Sequence, residues 1–169
     1  MANRPVKPGN MPWLTPCLTV KDVDAAVAFY EKAFGFEKRF SMPGPDGRTM
    51  HAEVGWRDAV IMIGPECAEH SCKSPATTGV RQSSSLYIYC DDVEALFKRA
   101  TGAGAKVETP PKEMFWGDRT CALIDPDGYV WGFATNVADF DPTKVPGAQK
   151  ADTACASKRE RSAAVSCAP

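Results

Sequence analysis

"RTCALIDPDGYVWGF", residues 119–133, reads as a strand, a tight turn and a second strand. Apolar residues flank "DPDG", whose Asp, Pro and Gly favour a turn. A worn copy, "RTMHAEVGWRDAVIMI" (residues 48–63), stands earlier in the chain. Working outward from the two hairpins, the preceding segments also match. "LTV" leads into "KDVDAAVAFYEKAFGF" in one half, and "YIYC" into "DDVEALFKRATGAGA" in the other. Each of these reads as a strand followed by a helix, with Asp22 or Asp92 as N-cap and a glycine at the end. Asp22 and Asp92, His51 and Cys121, and Met62 and Gly132 each stand 70 residues apart. A two-copy repeat of that length is not a solenoid unit. It predicts two βαβββ modules, each too small to bury a good core alone and paired to make one.

The domain organisation follows. Residues 1–11 read as a flexible leader, 12–65 as module one, 66–82 as a linker or flap, 83–140 as module two, and 141–169 as a disordered tail. The tail has no aromatic residue and cannot offset the entropy of ordering. Its "SKRER" cluster reads as solvated.

Composition excludes several classes. The chain has 169 residues, 44% of them hydrophobic, and carries 20 Lys plus Arg against 21 Asp plus Glu. That balance predicts no nucleic-acid partner. No run approaches the about 18 apolar residues of a membrane span, and no secretory signal is visible, so a cytoplasmic protein is expected. The seven cysteines are odd in number and show no CxxC spacing. Cys17, Cys90 and Cys121 read as small buried hydrophobes, and Cys155 and Cys167 as exposed thiols in the tail.

"LTVKDVDAAVAFYEKAFGFE", "PDGRTMHAEV" and "FWGDRTCALIDPDGYVWGFAT" together resemble the vicinal oxygen chelate superfamily, which contains glyoxalase I, bleomycin-resistance proteins and extradiol dioxygenases. The resemblance spans about residues 12–137. It implies an α+β fold in which two paired βαβββ modules form a U-shaped, partly open eight-stranded sheet with helices outside. It also implies a ligand cavity on the concave face and a homodimer. Metal-using members place ligands, His or Gln early and Glu late, on the first and fourth strand of each module. The matching positions here are Thr15, Met62, Ser85 and Gly132. None is a usual ligand for a hard or borderline divalent ion, so neither metal nor other cofactor is expected.

The expected cavity is lined by Thr15, Cys17, Met62, Ser85, Tyr87 and Gly132, with Phe115 and Trp116 available to stack on a planar ligand and Arg119 to pair with an acid or anchor an anion. His51 and Glu53, two apart on one strand, share a face and can serve as base and orienting carboxylate. Cys121, the presumed duplicate of His51, raises a His/Cys site across the pseudo-twofold. Three functions stand open: a metal-independent binder of a planar or amphipathic small molecule; a metal-free lyase, isomerase or cyclase using His51 and Glu53; and a metal-dependent lyase or dioxygenase.

Overall fold

The computed structural model describes residues 4–69 and 71–146. Module one runs β1 (Cys17–Val20), α1 (Val23–Phe34), β2 (Glu37–Pro43), β3 (Thr49–Trp56) and β4 (Ala59–Pro65). A short helix, α2 (Pro75–Thr78), lies in the linker. Module two repeats the order with β5 (Leu86–Tyr89), α3 (Val93–Gly102), β6 (Lys106–Glu113), β7 (Asp118–Ile124) and β8 (Val130–Asn136). Each module forms a four-stranded sheet, β1-β4-β3-β2 and β5-β8-β7-β6, with the outer pair parallel and the hairpins antiparallel. The α+β fold of paired modules is as expected.

The helix boundaries follow from local chemistry. The Asp22 carboxylate accepts from the Ala25 amide at 2.9 Å, and Gly35 ends α1 at φ 75° in the left-handed region. Asp92 caps α3 in the same way, accepting from the Glu94 and Ala95 amides. Both caps satisfy amides that have no partner within the helix.

One face of each sheet is covered by helix. Tyr30, Phe34 and Phe36 meet Trp131 and Phe133 of β8 in an aromatic cluster whose ring centroids lie 4.8–6.4 Å apart. The modules therefore share one core. They are also sewn together by polar contacts. The Tyr129 hydroxyl accepts from the Thr19 amide at 2.9 Å and donates to the Thr19 carbonyl at 2.8 Å, which occupies the outer edge of β1. The Trp56 indole donates to the Tyr89 carbonyl on β5 at 2.9 Å. Arg99 of α3 donates to the Ala33 and Phe34 carbonyls at the end of α1.

The "DPDG" turn is the centre of this seam. Asp125 is 3% exposed. Its carboxylate accepts from the Tyr30 hydroxyl and Trp131 indole, each at 2.8 Å, and from the Asp127 and Tyr129 amides, each at 2.9 Å. Burial pushes its pKa above the ordinary carboxylate range, against the pull of those donors. Asp127 accepts from the Lys21 amide, and its carbonyl accepts from Ala76 of α2. The turn thus joins both modules and the linker.

The two hairpins differ in one respect that matters. In the first, Trp56 pairs with Ala59 and only Arg57 and Asp58 lie between. In the second, the Asp125 amide reaches the Tyr129 carbonyl around Pro126, Asp127 and Gly128, a turn one residue longer. Met62 and Gly132 keep the 70-residue spacing, but Glu53, opposite Met62, corresponds to Ala122, opposite Gly132. A one-residue shift in a strand exchanges its faces. Cys121 is accordingly not the counterpart of His51: it lies opposite Phe133 and is 2% exposed in the core.

Among the described residues of the stretch read as tail, a 3-10 turn, Pro142–Lys144, is capped by Asp141. Cys155, Cys167 and "SKRER" lie outside the described residues, as does His70. In the stretch read as leader, the Asn10 carbonyl accepts from Arg39. No helix among the described residues is long and apolar enough to cross a membrane.

Candidate functional site

The sheet faces turned away from the helices carry most of the residues singled out above. On the first sheet, Cys17 lies opposite Met62, Met62 opposite Glu53 and Glu53 opposite Phe40, which makes one row across four strands. Thr19 and Gly64, with His51 and Met42, lie two residues further along and share that face. Cys17 is thus exposed rather than buried, because the alternation of β1 sends Leu18 and Val20 to the core instead. His51 Nε2 stands 3.7 Å from Glu53 Oε1, beyond hydrogen-bond length, with both side chains partly exposed. The Phe40 ring lies 6.2 Å from the imidazole.

On the second sheet, Tyr87 lies opposite Gly132, Gly132 opposite Ala122, and Ala122 opposite Thr109. The next row is Tyr89, Ala134, Thr120 and Lys112. Here a side chain that the sequence offers only as a partner for Arg119 organises the site. Asp118, at the start of β7, is 2% exposed and opposite Asn136. Its Oδ2 accepts from the Tyr87 hydroxyl at 2.9 Å, the Tyr89 hydroxyl at 2.9 Å and the Trp116 indole at 3.1 Å. Its Oδ1 accepts from the Asn136 amide at 3.0 Å. Burial alone would raise this carboxyl, but four donors outweigh it and hold the pKa below the usual range. The sequence signal was available in "WGDR", yet an acid beside an Arg reads first as that Arg's partner.

The phenols respond in the opposite sense. Burial and the bond to Asp118 push Tyr87 up to about 12, and the same bond raises Tyr89. Both hydroxyls spend their proton on Asp118 and present only lone pairs outward. Their rings stand edge to face with centroids 5.5 Å apart, and Phe115 packs the same way against Trp116 at 5.0 Å. Tyr87, Tyr89 and Phe115 remain exposed by 47%, 56% and 37%, a concentration of apolar ring surface beside a buried anion. Gly132 makes the floor flat: a Cβ there would stand 3.1 Å from Tyr87 Cδ2. Any side chain at that position would have to displace the ring.

Not every expected residue joins. Arg119 faces the helices, where its Nε donates to Glu94 of α3 at 2.9 Å, its Nη2 also bonds Glu94, and Nη1 stands 3.4 Å from Glu113. Its charge is spent on those acids. Thr15 and Ser85 precede β1 and β5, the first half-buried and the second exposed. With Met62 and Gly132 they offer no imidazole or carboxylate. Among the described residues, no three His, Cys, Asp or Glu side chains group closely enough to hold a metal ion. The donor set does not fit a divalent ion.

Comparison with known proteins agrees with the architecture. The family model of the Glyoxalase/Bleomycin resistance protein/Dioxygenase superfamily matches residues 11–133. An uncharacterised protein of Mycobacterium bovis is 31% identical over 140 residues, covering 81% of this chain and 91% of the relative. A counterpart in Mycobacterium tuberculosis is likewise 31% identical, with 81% and 82% covered. Among solved structures, TioX from Micromonospora sp. ML1 superposes with TM-score 0.60 at 26% identity, covering 73% of this chain and 98% of TioX. A glyoxalase-related enzyme from Fulvimarina pelagi gives 0.56 at 22% identity, with 74% and 88% covered. The fosfomycin resistance protein FosX from Mesorhizobium loti gives 0.55 at 14%, with 73% and 91% covered, a likeness of fold alone. The chain belongs to the glyoxalase/bleomycin resistance protein/dioxygenase superfamily.

Proposed function

We propose that the protein is a metal-independent small-molecule binder that holds a planar or amphipathic compound on the open face of the second sheet, and that it works as a cytoplasmic homodimer. The observation that carries this reading is the set of aromatic side chains fixed by Asp118. Tyr87, Tyr89 and Trp116 are each held by a hydrogen bond to one buried carboxylate. Their orientation is therefore settled before a ligand arrives, which lowers the ordering cost of binding. Exposed rings supply stacking surface, and the phenolic oxygens accept hydrogen bonds from N–H or O–H groups on the ligand. Gly132 lets the Tyr87 ring lie close over β8, where a Cβ would crowd it. Exposed Phe40 and Met42 on β2 support the homodimer, since a second copy would cover apolar surface otherwise in water.

The test is a panel of planar aromatic compounds with and without hydrogen-bond donors, titrated against the full chain by calorimetry. The reading expects donor-bearing compounds to bind the wild type and Tyr87→Ala to lose at least tenfold in affinity. Absence of binding across the panel, or equal affinity in the variant, would count against it. Sedimentation velocity tests the dimer separately.

A second reading is favoured by one observation, the 3.7 Å approach of His51 to Glu53 on the open face of the first sheet. There the pair would act as base and orienting carboxylate in a metal-free lyase, isomerase or cyclase. His51→Ala separates the two readings: loss of turnover with affinity kept favours the enzyme.

A further inference from the structure

Cys67 and Cys72 are joined by an isolated antiparallel bridge in the linker. The Cys67 amide donates to the Cys72 carbonyl and the Cys72 amide to the Cys67 carbonyl, both at 3.0 Å. In such a doubly bonded pair the Cα atoms lie about 5.5 Å apart and the side chains leave on the same side. That separation falls within the roughly 4.4–6.8 Å range of disulfides. The chain reverses between them through the Ser71-to-Ala68 backbone bond and a left-handed Ser71 at φ 53°. Both residues are reachable, Cys67 half-buried and Cys72 exposed. The contrast within the molecule is sharp. Cys90 and Cys121 are buried, and burial pushes Cys121 up to about 12, which keeps it an inert thiol.

We propose that Cys67 and Cys72 form a vicinal dithiol site that low-molecular-weight disulfides oxidise reversibly to an internal disulfide. Cys72, the more exposed, attacks the reagent as thiolate; its S–S bond breaks and one thiolate leaves. Cys67 then attacks the Cys72 sulfur of the mixed disulfide and expels the second thiolate. Two protein thiols are oxidised, one small disulfide is reduced to two thiols, and the two protons pass to the leaving thiolates. The bridge is held in register from outside the ring. Glu66 accepts from the Ser74 amide at 3.0 Å, the Ser74 hydroxyl at 2.7 Å and the Thr77 hydroxyl at 2.5 Å. This clamp spans the two cysteines, so the reactive geometry belongs to the folded chain.

The test uses the full chain equilibrated with oxidised and reduced glutathione, then alkylated and digested with trypsin. Both cysteines fall in the single fragment from Asp58 to Lys73. The expected product is that fragment lighter by two hydrogens and unalkylated, restored by dithiothreitol. Its equilibrium constant should exceed that of the urea-unfolded chain at least tenfold. Cys67→Ser should instead accumulate the glutathione mixed disulfide on Cys72. Full alkylation after oxidation, pairing of either cysteine with another part of the chain, or equal equilibrium constants folded and unfolded would overturn the proposal.

Discussion

Replacing Asp125 by alanine removes one acceptor from four donors at once. The Tyr30 hydroxyl and Trp131 indole belong to side chains 1% and 0% exposed, so water does not replace the carboxylate. Each unsatisfied buried donor costs about 1–3 kcal/mol, and the two side chains together put the loss at about 3–5 kcal/mol. Against a total stability of about 5–15 kcal/mol, that is a large share. Asp125→Asn keeps one acceptor oxygen but turns an amino group toward some of the donors, and is expected to cost about 1–3 kcal/mol. The two forms also differ in pH dependence. Because burial raises the folded-state pKa of Asp125, the wild type binds more protons folded than unfolded between the ordinary value and the raised one. Its stability relative to Asp125→Asn is therefore greatest below about pH 4 and falls as pH rises through the folded pKa. Urea unfolding followed by circular dichroism from pH 4 to 8 reads both effects from the midpoint at constant m. An alanine variant within about 0.5 kcal/mol of wild type would falsify the assigned role of the turn. A gap that widens with rising pH would show the hydrogen bonds outweighing burial.

Asp118→Ala should release Tyr87, Tyr89 and Trp116 and weaken ligand affinity by at least tenfold, with the far-ultraviolet spectrum unchanged; an unaltered affinity in calorimetry would remove Asp118 from the site. The depressed pKa of that carboxyl gives the reverse sign from Asp125. Its contribution to stability is present above about pH 4 and is lost as pH falls through the folded value, a dependence that Asp118→Asn should abolish in acid unfolding curves. In an ultraviolet phenolate titration, Tyr87→Phe should delete a component near pH 12; loss of a component near pH 10 instead would contradict the bond to Asp118. Gly117 sits at φ 98° and a Cβ there would run into the Ala138 carbonyl. Gly117→Ala is expected to destabilise by about 1–3 kcal/mol in thermal unfolding, more than an exposed-loop Gly→Ala elsewhere.

Much of this fold was legible because it was written twice. Asp22 and Asp92 as caps, Gly35 as a helix end, and the spacing from Met62 to Gly132 all survive in three dimensions. Where the repeat misled, the reason is physical. The spacing from His51 to Cys121 looks the same on paper, but the residue gained in the second turn, between Cys121 and Gly132, sets β7 one residue out of step with β3, and strand alternation converts one residue into a change of face. What lies on the open face in one half lies on the core face in the other. Sequence alone does not reveal such a change, because Pro126, Asp127 and Gly128 read as an ordinary turn at either length.

The site was half legible for a related reason. Tyr87, Trp116 and Gly132 could be named from the sequence, but Asp118 unites Tyr87, Tyr89 and Asn136, which are remote from one another in sequence and brought together by the β5-β8-β7 pairing, with Trp116 two residues before it. Asp118 and Asp125, both buried in module two, thus do opposite work. Asp125, on the seam, takes two core side chains as partners and locks the modules. Asp118 takes exposed rings as partners and holds them outward on the open face. Burial wins at Asp125 and the donors win at Asp118, which is the difference expected between a carboxylate enclosed by the aromatic core and one enclosed by polar groups at a surface. Gly132 follows from the second of these. Once Tyr87 lies across β8 with its hydroxyl on Asp118, a side chain at position 132 crowds the ring from its Cβ onward. Restoring a glutamate should therefore require clearing the ring. Gly132→Glu alone is expected to destabilise the chain without gaining manganese or zinc, whereas Gly132→Glu with Tyr87→Ala should recover the stability. Metal analysis and thermal unfolding of the single and double variants decide it, and a single variant as stable as wild type would sever the link between Gly132 and Tyr87.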